Sequence, residues 1–305
     1  MRLGVLDVGS NTIHLQIMDA HPGARPTPTT NLKVELRLTE YLDKKGAITP
    51  KGSELLFQSI EDAIAHGKEF KTEEILAFAT SALREAKNGK EIIDEINHRY
   101  EIDLQILTGV EEARITFLAV RRWLGWSSGK LLVLDIGGGS LEMATGNDES
   151  PESALSLPLG AARLTRDFLS ENPITAKNLN VLQAHVKTIL SSKIPKGLMA
   201  HDANHFVATS KTFRTLARLG NHWYGDKPQY LEANALVGII PRLMDMTTEE
   251  RASLPGVSST RAQQIVAGAV VAKTVMEILE ITELEICPWA LREGVILKWL
   301  DWNER

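Results

Sequence analysis

The chain has 305 residues, 43% of them hydrophobic and 24% charged, with a formal net charge of −5 and one cysteine, Cys287. That length has room for two cores, and the negative balance argues against a broad basic surface for nucleic acid. No apolar run approaches the ~20 residues that span a bilayer, no leader precedes the first strand, and a lone thiol excludes an internal disulfide, so a soluble, cytoplasmic protein is expected.

In chain order, the apolar run at 3–6 predicts a strand and the alternation over 12–18 a second. A Pro-rich loop at 21–28 precedes a strand expected over 33–38. Apolar spacing predicts a helix over 50–70 with Pro50 in its first turn. A strand over 75–79 runs into Thr80-Ser81-Ala82-Leu83-Arg84, followed by a helix over 89–100, a strand over 104–107 and a helix over 110–124. The polar, glycine-rich stretch 125–129 is the expected linker. Strands are then predicted over 131–135, 140–145 and 153–157, helices near 161–169 and 176–190, and a strand over 206–209. A strongly apolar core helix over 265–279, a strand over 283–286 and a helix over 289–300 complete the plan. The expected domains are an N-terminal lobe, 1–125, and a C-terminal lobe, 126–305, with the last helix, about 289–305, packing back on the first.

Two short strings resemble each other: Leu6-Asp7-Val8-Gly9-Ser10-Asn11 and Leu134-Asp135-Ile136-Gly137-Gly138-Gly139-Ser140. An apolar strand that ends in Asp and turns through glycine before a hydroxyl residue suits phosphate. Glycine permits positive φ and close approach, and the amides form an anion-binding nest. Ser10, Asn11 and Ser140 add side-chain donors. Asp7 and Asp135 would repel phosphate unless a hard divalent cation lay between, which argues for magnesium. Ordinary Asp/Gly hairpin turns are the alternative. Basic residues available to a polyanion are Arg84, Lys87, Lys90, Arg163, Arg166, Lys193, Lys196, Lys211, Arg214 and Arg218, set against the usual solvated helix faces. His201-Asp202 reads as a polar loop.

The chain resembles the exopolyphosphatase/guanosine-pentaphosphate phosphohydrolase family. The motifs that carry this span nearly the whole chain: Asp-x-Gly-Ser-Asn-Thr-Ile at 7–13, Ala-Thr-x-x-x-Arg at 79–84, Gly-x-Glu-Glu-Ala-Arg-Ile at 109–115, Asp-Ile-Gly-Gly-Gly-Ser-x-Glu at 135–142 and Leu-Arg-Glu-Gly at 291–294. The resemblance implies an α/β fold of duplicated actin-like, sugar-kinase-like (ribonuclease H-like) lobes with an interdomain cleft. It makes Glu112 the general base on the attacking water; in isolation Glu111-Glu112 reads as helix N-terminal acids with Glu111 paired to Arg114. Arg84 becomes the active-site arginine rather than a helix-cap or surface-pair residue. Asp135 and Glu142 become the ligands of Mg2+ or Mn2+, beside Asp7, the metal candidate already read from the end of its own strand. Gly9, Ser10, Asn11, Gly137, Gly138, Gly139 and Ser140 become two phosphate cradles.

Two positions depart from the family pattern. Its Ser-Gly-Thr is Thr209-Ser210-Lys211-Thr212 here, so Lys211 either contacts phosphate or points to solvent. Its Arg-Ala-Asp is Arg261-Ala262-Gln263, which removes a carboxylate. The implied activity is removal of terminal orthophosphate from inorganic polyphosphate, favouring short chains because larger relatives carry further helical domains. The alternative is guanosine pentaphosphate (pppGpp) 5′-phosphohydrolase, and a third reading is a non-catalytic regulator that binds polyphosphate or alarmones. Guanosine penta- or tetraphosphate and nucleotides are expected as further ligands or inhibitors. Neither nucleic acid nor membrane is expected as a partner, and a homodimer using Trp299 and Trp302 is.

Overall fold

The computed structural model describes residues 1–170, 174–225 and 227–303, and the chain divides into two compact units, Met1–Ala119 with Leu291–Arg305, and Val120–Ala290. The first holds β1 (Arg2–Val8), β2 (Thr12–Asp19), β3 (Thr27–Glu35), β4 (Glu74–Ala79) and β5 (Leu104–Ile106), in the order β3-β2-β1-β4-β5. β1 pairs antiparallel with β2 and parallel with β4. Alternation along the strands sorts the two faces. Leu6, Val8, Ile13, Leu15 and Ile17 pack against Leu56 and Ile60 of helix Pro50–Glu69 and Ile92, Ile93 and Ile96 of helix Gly89–Tyr100. Leu3, Val5 and Met18, on the other face, meet Ile296 and Leu300 of the closing helix Leu291–Asn303. Helix Pro50–Glu69 starts as anticipated, with Thr49 accepting from the Gly52 amide and Pro50 in the first turn.

The second unit holds β6 (Leu131–Ile136), β7 (Leu141–Gly146), β8 (Ser153–Leu157), β9 (His205–Ala208), β10 (Tyr230–Glu232) and β11 (Glu283–Ile286), in the order β10-β11-β9-β6-β7-β8. Read outward from the glycine hairpin, β8-β7-β6-β9-β11 repeats β3-β2-β1-β4-β5, so the twin strings mark a duplicated topology. Helix Ser259–Ile278 is buried nearly all round, from Ala262 and Ile265 to Val275 and Met276, as a core helix should be. Among the described residues, no helix is long and apolar enough to cross a membrane.

Several expectations shift. The strand expected over 33–38 runs earlier, Thr27–Glu35, because Pro28 is tolerated on an edge strand. It stops where the carbonyls of Ser10 and Asn11 take the amides of Leu36, Arg37 and Leu38, and Leu38–Tyr41 is a 3-10 turn. Helices Ser210–Tyr224 and Ala233–Met244 were not anticipated; the second has Pro241 inside it. The units part inside helix Gly109–Leu124 rather than at 125–129. Arg121, fully buried, ties the end of that helix to the second unit by donating to the carbonyls of Gly129 (2.7 Å), Gly146 (3.1 Å) and Gly125 (3.3 Å). Trp299 is not an exposed aromatic: it packs on the core under β1 and donates to Glu74 at 3.2 Å, whereas Trp302 is 77% exposed. Residues 304 and 305 of the expected last helix lie outside the described residues.

Candidate active site

In the first unit the turn after β1 is closed by the Gly9 amide donating to Thr12 O at 3.0 Å. Asp7 stands directly across from His14, so both side chains lie on one face of the sheet. Arg292, in the first turn of the closing helix, donates to the His14 ring. The Ser10 hydroxyl is 2.8 Å from that of Ser81, which ties the turn to the short helix Ser81–Glu85. Arg84 on that helix donates to Leu107 O at 2.6 Å and forms an ion pair with the buried Glu112. Turn, arginine and glutamate are therefore one connected set. Gly294 sustains it: a Cβ there would lie 2.2 Å from Ile115 O, so only glycine lets the closing helix lie against the helix that carries Glu112.

The adjacent glutamates have different tasks. Glu111 accepts from the amide and hydroxyl of Thr108, both at 2.8 Å, while its own amide donates to Thr108 Oγ1 at 3.2 Å. This is a capping box, and these donors hold the Glu111 carboxyl below the usual range. The structure thus gives Glu111 a capping partner in place of the Arg114 pair. A depressed folded-state pKa contributes stability above the unfolded value that is lost as pH falls through the folded one. Glu111→Ala should cost about 1 kcal/mol at pH 7, read by urea unfolding, and the difference from wild type should fade in acid while activity is kept.

In the second unit the Gly137 amide closes the turn on Ser140 O at 2.9 Å. Gly9 and Gly137 lie outside the left-handed region, so these two are not glycine for positive φ, and their amides are spent within the turns. The loop is braced from behind: Gly137 O and Gly138 O accept from the amides of Ala161, Ala162 and Arg163, and Arg163 Nε donates to Gly139 O at 2.8 Å. Asp135 faces Glu142 directly across β6 and β7. Thr209 Oγ1 donates to Asp135 Oδ2 at 2.5 Å, and Ser156 Oγ donates to Glu142 Oε1 at 2.8 Å. Burial pushes the Asp135 carboxyl above its ordinary value, opposed by the Thr209 bond and the Arg214 charge.

This donor set fits a hard divalent ion. Two carboxylates on one face, each held by a hydroxyl, match the one or two protein ligands that Mg2+ takes beside water and phosphate. Among the described residues no group of three or more His, Cys, Asp or Glu side chains is assembled.

The model of the Ppx/GppA phosphatase family matches residues 16–303. The chain belongs to this family. It is 48% identical to exopolyphosphatase 1 of Mycobacterium tuberculosis, over 99% of this chain and 89% of that protein. It is 47% identical to exopolyphosphatase 1 of Mycobacterium leprae, over 99% of this chain and 90% of that protein. Among solved structures it resembles an exopolyphosphatase from Cytophaga hutchinsonii, with a TM-score of 0.88 and 25% identity over 99% of this chain and 98% of that one. A Ppx/GppA member from Aquifex aeolicus gives 0.81 and 26%, over 99% of each. The duplicated actin-like α/β fold expected from the motifs is the fold of these Ppx/GppA proteins.

Other candidates in this Ppx/GppA phosphatase sort by burial. Arg84, Arg163 and Arg214 are half-buried, whereas Lys87, Lys90, Arg166, Lys193, Lys196, Lys211 and Arg218 are exposed. Gln263 is exposed on its helix, and Arg261 donates to Thr212 Oγ1 at 3.0 Å. His201 is a structural residue, with Nε2 3.2 Å from Leu279 O and Nδ1 accepting from the Ala203 amide. Sequence reasoning gave no site role to Ser81, Ser156, Gly160 or Thr209, and it had Arg163 among the basic residues open to a polyanion, not as the brace of the second turn. One signal for two of these was available: Ala-Thr-Ser occurs at 79–81 and again at 208–210. Thr209→Val, which keeps the shape and removes the hydroxyl, should weaken Mn2+ binding ~10-fold or more, measured by calorimetry, while Thr209→Ser stays near wild type.

Proposed function

We propose that this chain is an exopolyphosphatase that releases terminal orthophosphate from inorganic polyphosphate. The observation that carries the reading is the Arg84–Glu112 pair: a buried acid held by a guanidinium, one hydroxyl contact away from a phosphate-type turn. In the reaction, water oxygen bonds to the terminal phosphorus as the bridging P–O bond breaks. The water proton passes to the Glu112 carboxylate, and the shortened chain leaves with the bridging oxygen. Arg84 suits the terminal phosphate through its planar fork, and the turns 9–11 and 137–140, apart from the Gly9 and Gly137 amides that close them, offer donors to phosphate oxygens. Asp135 and Glu142 would hold the ion. Mg2+ or Mn2+ bound there would neutralise phosphate charge in the loose transition state.

The 48% identity to an exopolyphosphatase 1 over nearly the whole chain supports this substrate. The same reading includes Lys211 as a phosphate contact, guanosine penta- or tetraphosphate as competing ligands, and a cytoplasmic homodimer, whose mass sedimentation equilibrium would read. The test is orthophosphate release by the purified chain from tripolyphosphate, long-chain polyphosphate and pppGpp, with Mg2+ or Mn2+. Release from the polyphosphates should be fastest and should fall to background with EDTA. Faster release from pppGpp than from either polyphosphate would favour the nucleotide phosphohydrolase, and binding without release would favour the regulator. The ratio of the two polyphosphate rates measures the expected preference for short chains.

A further inference from the structure

The duplication reaches past the glycine turns. In each unit the strand that pairs in parallel with the first hairpin strand, β4 or β9, leads into the same tripeptide, Ala79-Thr80-Ser81 or Ala208-Thr209-Ser210. At this corner the backbone agrees at the threonine, with φ and ψ of −116° and −150° at Thr80 and −113° and −155° at Thr209, and parts at the serine, where Ser210 takes φ of 65° and Ser81 does not enter the left-handed region. A helix follows each corner, Ser81–Glu85 or Ser210–Tyr224, and an arginine lies within its first turns, Arg84 or Arg214.

The two arginines are occupied differently. Arg84 holds Glu112 and the Leu107 carbonyl. Arg214 donates through Nε to Ser210 O at 3.1 Å, its charge bears on Asp135, and among the described residues it makes no other hydrogen bond or ion pair. The Nε bond fixes the plane of the guanidinium, which is half-buried. That leaves both Nη groups without a protein acceptor, although a partly desolvated donor ordinarily finds one. A fork fixed at one end, beside a candidate metal carboxylate and within the unit that carries the second glycine turn, is suited to an anionic oxygen.

We propose that Arg214 grips a phosphoryl oxygen of the polyphosphate substrate, as the second unit's counterpart of Arg84. This rests on the exopolyphosphatase reading for the identity of the anion. In that role Arg214 is a substrate-binding residue.

The test compares wild type, Arg214→Gln, Arg214→Lys and Arg218→Gln as full chains. Arg218 is one turn further along the same helix, exposed, with Nη1 against Gly256. Phosphate release from tripolyphosphate gives KM and kcat, calorimetry with tripolyphosphate gives Kd, and thermal unfolding reports structural damage. Arg214→Gln should raise KM and Kd about tenfold or more with an unchanged Tm, Arg214→Lys should recover part of the loss, and Arg218→Gln should match wild type. Unchanged KM and Kd in Arg214→Gln would overturn the proposal, as would a fall in kcat and Tm together at constant KM, the sign of a purely structural arginine. Wild type that binds tripolyphosphate but releases no phosphate would overturn the exopolyphosphatase reading alone, and the Kd comparison would still decide the role of Arg214. Wild type that does neither would overturn both.

Discussion

Glu112→Gln is expected to lower kcat on tripolyphosphate by ~10³-fold while tripolyphosphate binding changes only a few-fold. The amide is nearly isosteric with the carboxylate and its oxygen can still accept from Arg84, so the side chain should keep its place. What disappears is basicity: an amide cannot take the proton that attacking water must lose. Loss of a group needed only as the water reacts appears in kcat and not in KM. The neighbouring residue supplies an internal control. Glu111 caps the same helix through Thr108, so its replacement should cost stability and spare turnover, the reverse of the pattern at Glu112. If Glu112→Gln kept wild-type kcat, the base would be some other group and the Arg84–Glu112 pair would be structural. Matched falls in Tm and activity at both positions would point to helix damage instead of lost chemistry.

How much of this was legible in the sequence depended on whether the cause was local. The glycine turns, the duplicated strand order and helix Gly89–Tyr100 were readable because alternation, apolar spacing and turn residues are written into neighbouring positions. Helix Ser210–Tyr224 was not, because it opens on Ser210 with φ of 65°, an unfavourable start that tertiary packing of Phe213, Leu216 and Leu219 overrides. Pro241 hid the next helix in the same way. At the site, the residue types were visible and their partners were not. Asp135 could be read as a candidate ligand, but its bond to Thr209 joins residues far apart in the chain. The reason given for the glycines also had to change: Gly9 and Gly137 keep ordinary φ, and the glycine that most constrains the second turn, Gly160, lies outside it.

Gly160→Ala should be the most damaging single methyl in the second unit. The backbone at 160 is extended, φ −75° and ψ 149°, so alanine could adopt the conformation without strain. Space is the obstacle. A Cβ would lie 2.2 Å from the Gly139 carbonyl carbon, 2.3 Å from the Ser140 amide nitrogen and 2.4 Å from the Gly138 carbonyl carbon. All three are main-chain atoms, so no side chain can rotate aside and the turn itself must move. Movement there strains the bonds from Ala161, Ala162 and Arg163 that orient the loop. A stability loss of about 3 kcal/mol is expected, and a loop displaced by ~1 Å should lower kcat/KM by ~10²-fold. Gly197→Ala separates this from a general dislike of alanine. A Cβ at 197 meets nothing nearer than Ser153 Cβ at 3.9 Å, and the position is helical, so that variant should be slightly stabilised and fully active. Urea unfolding of both variants with phosphate release on the same samples reads the contrast. A Gly160→Ala protein with wild-type Tm and turnover would mean that the turn yields at no cost, and a cradle that soft could not orient a phosphate through its backbone.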